Sequence, residues 1–176
     1  IFSTTLSWLD TQRSAVQEID FAFHRLAKRQ LKAVIGESPE NAEPTAICTF
    51  TAAGVRERIY IVEIDEDVKE SYPYPEEEIV SSMVIDIANR KAVLEGAVAY
   101  TDIEVWVAMS KALHQQVFTE LKGKWLFVRG KFKQFTLQSA SQDRALVIAA
   151  SFNGKLTRSD AFIDGVKVGE IYFSIV

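Results

Sequence analysis

Apolar side chains change their period along this chain, and the changes divide it into elements. Leu9, Val16, Ile19, Phe23, Leu26, Ala33 and Val34 recur at helical spacing and predict one amphipathic helix over residues 9–35. Ser7 or Asp10 caps its start in this reading, and Gly36 stops it before the polar Glu37–Pro44 linker. After Pro44 the character turns to strand: Thr45–Thr51 and Arg56–Asp65 form a hairpin across Ala-Ala-Gly. Asp65–Glu78 reads as an acidic loop stiffened by Tyr72-Pro-Tyr-Pro75. Ile79–Ile87 alternates, with Ile79, Met83, Ile85 and Ile87 on one face, and pairs with Lys91–Tyr100 across Ala88-Asn-Arg90. Glu104–Met109 continues as strand, and Ser110 caps a short helix over Lys111–Leu121 that Gly123 ends.

The last third is a series of strands: Lys124–Leu137, Arg144–Phe152, Lys155–Ile163 and Val166–Val176. Asn153-Gly154 and Asp164-Gly165 are type I′ turn dipeptides, each flanked by strand formers. The whole reads as a single α+β domain over residues 1–176, with the two helices packed on a curved antiparallel sheet or a partly open barrel built from hairpins.

Composition supports a packed interior: 48% of the residues are hydrophobic and 11% aromatic, and no apolar run approaches a membrane span. The single cysteine, Cys48, precludes an internal disulfide and reads as a buried strand residue. No secretory pattern opens the sequence, so a cytoplasmic protein is expected. The net charge of −4 hides two opposed regions. Residues 57–78 carry nine acids against Arg58 and Lys69, while residues 111–133 carry six Lys and Arg against Glu120. Opposed patches of this kind orient a partner or remain two solvated faces.

Signals of catalysis are sparse. His24 and His114 each stand on a predicted helix with no partner at local spacing, and no paired His or Cys spacing marks a zinc site. There is no G-x-S-x-G elbow and no Walker-type glycine loop. Neither a catalytic set, a metal nor a cofactor is therefore expected.

The strongest constellation is the basic strand around Trp125. Alternation places Trp125, Phe127, Arg129, Lys131 and Lys133 on one face, where rings stack on bases and cations hold a phosphate backbone. The same rings also suit a core beneath the second helix. Arg25, Lys28, Arg29 and Lys32 would add a basic stripe on the first helix. From Asp102 the element order (strand, helix, a Leu-Lys-Gly step, strand, loop, strand) resembles the second half of an oligonucleotide/oligosaccharide-binding barrel, over residues 102–152. That resemblance implies a sheet that grips single strands.

The leading functional expectation is a non-enzymatic interaction module, recognising a protein partner or a second copy of itself through its sheet face and charged edges. Single-stranded nucleic-acid binding by the Trp125 face is the alternative. A third reading is a ligand-holding or catalytic pocket lined by Tyr60, Trp106 and Tyr100.

Overall fold

Where the sequence predicts a helix over residues 9–35, the computed structural model has two strands. It describes residues 16–40, 42–52, 54–68, 76–133 and 142–176. The start of the expected helix with its caps Ser7 and Asp10, the Tyr72–Pro75 stretch, and residues 138–141 of the loop before Asp143 lie outside these. The chain forms two units, residues 1–73 with 131–135 and residues 74–130 with 136–176.

In the first unit β1 (Val16–Phe23), β2 (Leu31–Ile35), β3 (Ala46–Ala52) and β4 (Val55–Glu63) pair antiparallel in the order β2-β4-β3-β1. The missing helix has a physical cause. Ile19 and Phe21 point inward at a period of two and are 2% and 1% exposed. A bulge between Val16 and Glu18 adds one residue to that alternation, so Val16 and Ile19 are three apart yet both buried. That spacing imitates a helix. Leu26, which completed the expected stripe, is 65% exposed. Register places Phe21 opposite Cys48 and Ile19 opposite Phe50, and the four meet in one apolar layer with Ile59 and Ile61.

The second unit holds α1 (Glu76–Ser82), β5 (Met83–Asp86), β6 (Lys91–Leu94), α2 (Asp102–Val117), β7 (Trp125–Lys133), β8 (Arg144–Phe152), β9 (Leu156–Ile163) and β10 (Val166–Ile175). Strand order is β7-β10-β9-β8-β6-β5, so β7 lies beside β10 and not beside the strand that follows it in sequence. The first half of the expected strand 79–87 is helical. Glu76, Glu77 and Glu78 suit the positive end of α1, and Ile79 anchors it in full burial. Asn153 and Gly154 have φ of 51° and 66°, and Asp164 and Gly165 have 47° and 78°. Both pairs supply the two left-handed residues that a type I′ hairpin needs, and they join β8 to β9 and β9 to β10.

α2 replaces the expected strand 104–109 and short helix 111–121 with one element. Its start is a capping box in Thr101-Asp-Ile-Glu104: the Thr101 hydroxyl accepts from the Glu104 amide at 3.4 Å, and the Glu104 carboxylate accepts from the Thr101 amide at 2.9 Å. Ser110, expected as a cap, is buried inside the helix. Ile103, Val105, Trp106, Ala108, Met109, Ala112 and Leu113 are buried on α2, which packs on α1, β6, β8 and β10, while Glu104, Val107, Lys111 and Gln115 share its less buried face. The buried face is wide, so only a narrow polar stripe is left to reveal the helix in sequence. Among the described residues no helix is long and apolar enough to cross a membrane.

Candidate active site

The start of α2 carries a sealed ion pair. Asp102, the first helical residue, is 1% exposed, and Arg144, which opens β8, is 0% exposed. Arg144 Nε donates to Asp102 Oδ1 at 2.7 Å. Its Nη1 donates to the carbonyls of Gln142 at 3.0 Å and Gly96 at 3.4 Å. Two buried charges persist only when paired and hydrogen-bonded, and the guanidinium fork supplies several donors at fixed angles. Gly96 is held from its other side as well, since its amide donates to Asp143 Oδ1 at 3.1 Å. It has φ of 83°, a conformation that favours glycine.

Two bonds from α1 steady this helix, one just before its start and one past its middle. Tyr100 Oη donates to Glu78 Oε2 at 2.5 Å, and Lys111 Nζ pairs with Glu76 Oε2 at 2.6 Å, tying α1 to α2. The arrangement therefore offers a carboxylate of fixed orientation, a permanent cation and the electropositive end of a sixteen-residue helix. Among the described residues no cluster of His, Cys, Asp and Glu is suited to a metal ion.

The expected binding residues lie on β7, on β2 and in the connector after β1. Trp125 is 7% exposed and packs on His114 and Phe118 at ring-centroid distances of 4.5 and 5.4 Å. Phe127 is half-buried and lies 5.9 Å from the Phe173 ring. Arg129, Lys131 and Lys133 are exposed on β7. Arg25, Lys28 and Arg29 sit in the connector after β1, and Lys32 lies in β2, so no helical stripe exists. Arg25 Nη2 donates to the Glu43 carbonyl at 3.0 Å, the Lys28 amide donates to the Glu63 carboxylate, and Arg29 pairs with Asp65. Of the suggested pocket residues, Trp106 and Tyr60 are core side chains and Tyr100 is half-buried. Asp102 and Arg144 escaped the sequence reading; the T-x-x-E box beginning at Thr101 was the available signal for where the helix starts.

No protein-family model matches the chain, and no curated protein matches it. Solved structures do. A tesB protein of Mycobacterium avium subsp. paratuberculosis is 12% identical, with a TM-score of 0.49, covering 97% of this chain and 83% of its own. An acyl-CoA thioesterase II of Mycobacterium marinum is 11% identical, with a TM-score of 0.47, covering 97% and 84%. A conserved protein of unknown function with a hot dog fold from Alicyclobacillus acidocaldarius is 11% identical, with a TM-score of 0.39, covering 93% and 79%.

The leading expectation of a non-enzymatic interaction module is corrected here: the solved structures similar to this chain include proteins described as an acyl-CoA thioesterase II and an acyl-ACP thioesterase. The nucleic-acid alternative falls with it. Its stacking platform needs Trp125 open to solvent, and that ring is closed over by the end of α2. The barrel resemblance is not realised either, since β7 and β8, its successive strands, are not neighbours.

Proposed function

We propose that this chain cleaves an acyl thioester with water at the N-terminal end of α2. The supporting observation is Asp102, a carboxylate sealed at the first position of a helix with one oxygen fixed by Arg144. A carboxylate so oriented takes the proton of an attacking water. The first turn of a helix carries a partial positive charge, which suits the oxyanion that a thioester carbonyl becomes on attack. Water oxygen bonds to the carbonyl carbon, the carbon–sulfur bond breaks, and the proton held by Asp102 passes to the leaving thiolate. Acid and thiol are the products. Asp102 is sealed, so entry of water and thioester requires the chain around it to give way. The similar proteins described as thioesterases choose the substrates to try first.

The test is thiol release from short-, medium- and long-chain acyl-CoA by the wild type, D102N and the uncharged pair D102A/R144M, with circular dichroism confirming the fold. Release by the wild type that falls on the order of a hundredfold or more in both variants is expected. No release from any chain length, or release unchanged in D102N, overturns the proposal.

A further inference from the structure

His114 stands in the last turn of α2 within a closed aromatic box. Its ring centroid lies 4.5 Å from that of Trp125 on β7, 5.4 Å from Phe173 on β10 and 5.7 Å from Phe118, the helix C-cap. His114 Nδ1 is 2.6 Å from the Ser110 carbonyl, which can only accept, so this nitrogen bears the hydrogen. Nε2 is then the acceptor, and Thr157 Oγ1 of β9, 2.5 Å away, donates to it. The same hydroxyl oxygen lies 3.3 Å from the Phe173 carbonyl, a second acceptor already in place.

We infer that His114, Thr157 and the Phe173 carbonyl form a proton-operated switch linking α2, β9 and β10. One proton enters from solvent and bonds to Nε2, which changes from acceptor to donor. Thr157 Oγ1 accepts that new N–H, and its own hydrogen turns to the Phe173 carbonyl. No bond between heavy atoms breaks, the Nδ1 bond to Ser110 stays, and the ring gains one positive charge. The groups facing the ring are Ser110 from its own helix, the Phe118 cap, Trp125 of β7, Thr157 of β9 and Phe173 of β10, none of them charged. At the edge of the box the Arg90 guanidinium lies 5.9 Å from the Phe118 centroid and repels an imidazolium. Burial pushes the imidazole down to about 4, against the upward pull of the Ser110 carbonyl, so the switch works in acid. The ring faces around it favour the charged form once it is made.

The chain has two histidines, so NMR of the imidazole resonances, assigned with an H24Q variant, follows His114 alone. The acid titration is read on the wild type, T157S and T157V, with near-UV circular dichroism recorded alongside. The expected wild-type midpoint is about 4, reached with the near-UV signal intact, and T157S keeps it. T157V lowers it by about half a pH unit or more, because the charged ring loses a stronger hydrogen bond than the neutral ring does. Should T157V fail to fold, the imidazole nitrogen shifts of the wild type decide by themselves. The hydrogen on Nδ1 at neutral pH supports the switch, and the hydrogen on Nε2 overturns it. A T157V midpoint equal to or above that of the wild type overturns it, as does collapse of the near-UV signal together with the titration.

Discussion

Removing one member of the Asp102–Arg144 pair should cost far more than removing both. The two side chains are 1% and 0% exposed, with Nε and Oδ1 2.7 Å apart, so neither charge has water to fall back on. At an effective dielectric of about 20, charges at that distance attract by about 6 kcal/mol, and desolvation of the two groups offsets most of it. In R144M the carboxylate is stranded, and the Gly96 and Gln142 carbonyls lose their donor. D102A strands the guanidinium. Each single variant is expected to lose about 3–5 kcal/mol, whereas D102A/R144M, with no charge left to bury, loses about 1–2 kcal/mol. Urea unfolding of the four proteins gives the cycle, with a non-additivity of about 3 kcal/mol or more as the expected result. Losses that add to within about 0.5 kcal/mol would show the two groups to be independent and refute the reasoning.

Three further outcomes follow from the structure. Gly123 has φ of 145°, and a Cβ there would meet the Val176 carbonyl oxygen at 2.6 Å and Ile175 Cγ1 at 2.8 Å. G123A should therefore lose about 2–3 kcal/mol in the same urea assay; a loss below about 0.5 kcal/mol contradicts the crowding. His114 lies lower in the folded chain than the ordinary 6.5, at about 4, so the unfolded chain binds the extra proton between those pH values. Its contribution is whole above pH 6.5 and is lost as pH falls towards 4, about 3 kcal/mol in all at about 1.4 kcal/mol per pH unit. Stability profiles of the wild type and H114F should diverge across that window, and parallel profiles would count against it. Cys48 is 1% exposed, and burial, with Asp20 adding to it, pushes its thiol upward. Labelling by an aromatic disulfide reagent should wait for unfolding, and prompt reaction in native buffer would contradict the placement.

Local chemistry was legible where it is decided locally. Asn153-Gly154 and Asp164-Gly165 set two left-handed residues with no help from the rest of the fold, so the hairpins that they close could be read from the dipeptides. β1 was misread because its bulge shifts an alternating strand into three-residue spacing. α2 was misread because its buried face is wide and its polar stripe is only Glu104, Lys111 and Gln115, leaving Glu104–Met109 to resemble an alternating strand. The candidate site was not legible at all. Asp102 and Arg144 stand 42 positions apart, and only the pairing of β6 with β8 and the packing of α2 on both bring them together. Trp125 was open to two readings, and the choice depended on whether a helix covered it. The end of α2 does.

The proposed role of Asp102 as the base for thioester cleavage is tested most directly by a single rate comparison. Thiol release from acyl-CoA should be present in the wild type and lost in folded D102N protein. Turnover in D102N equal to that of the wild type would contradict it.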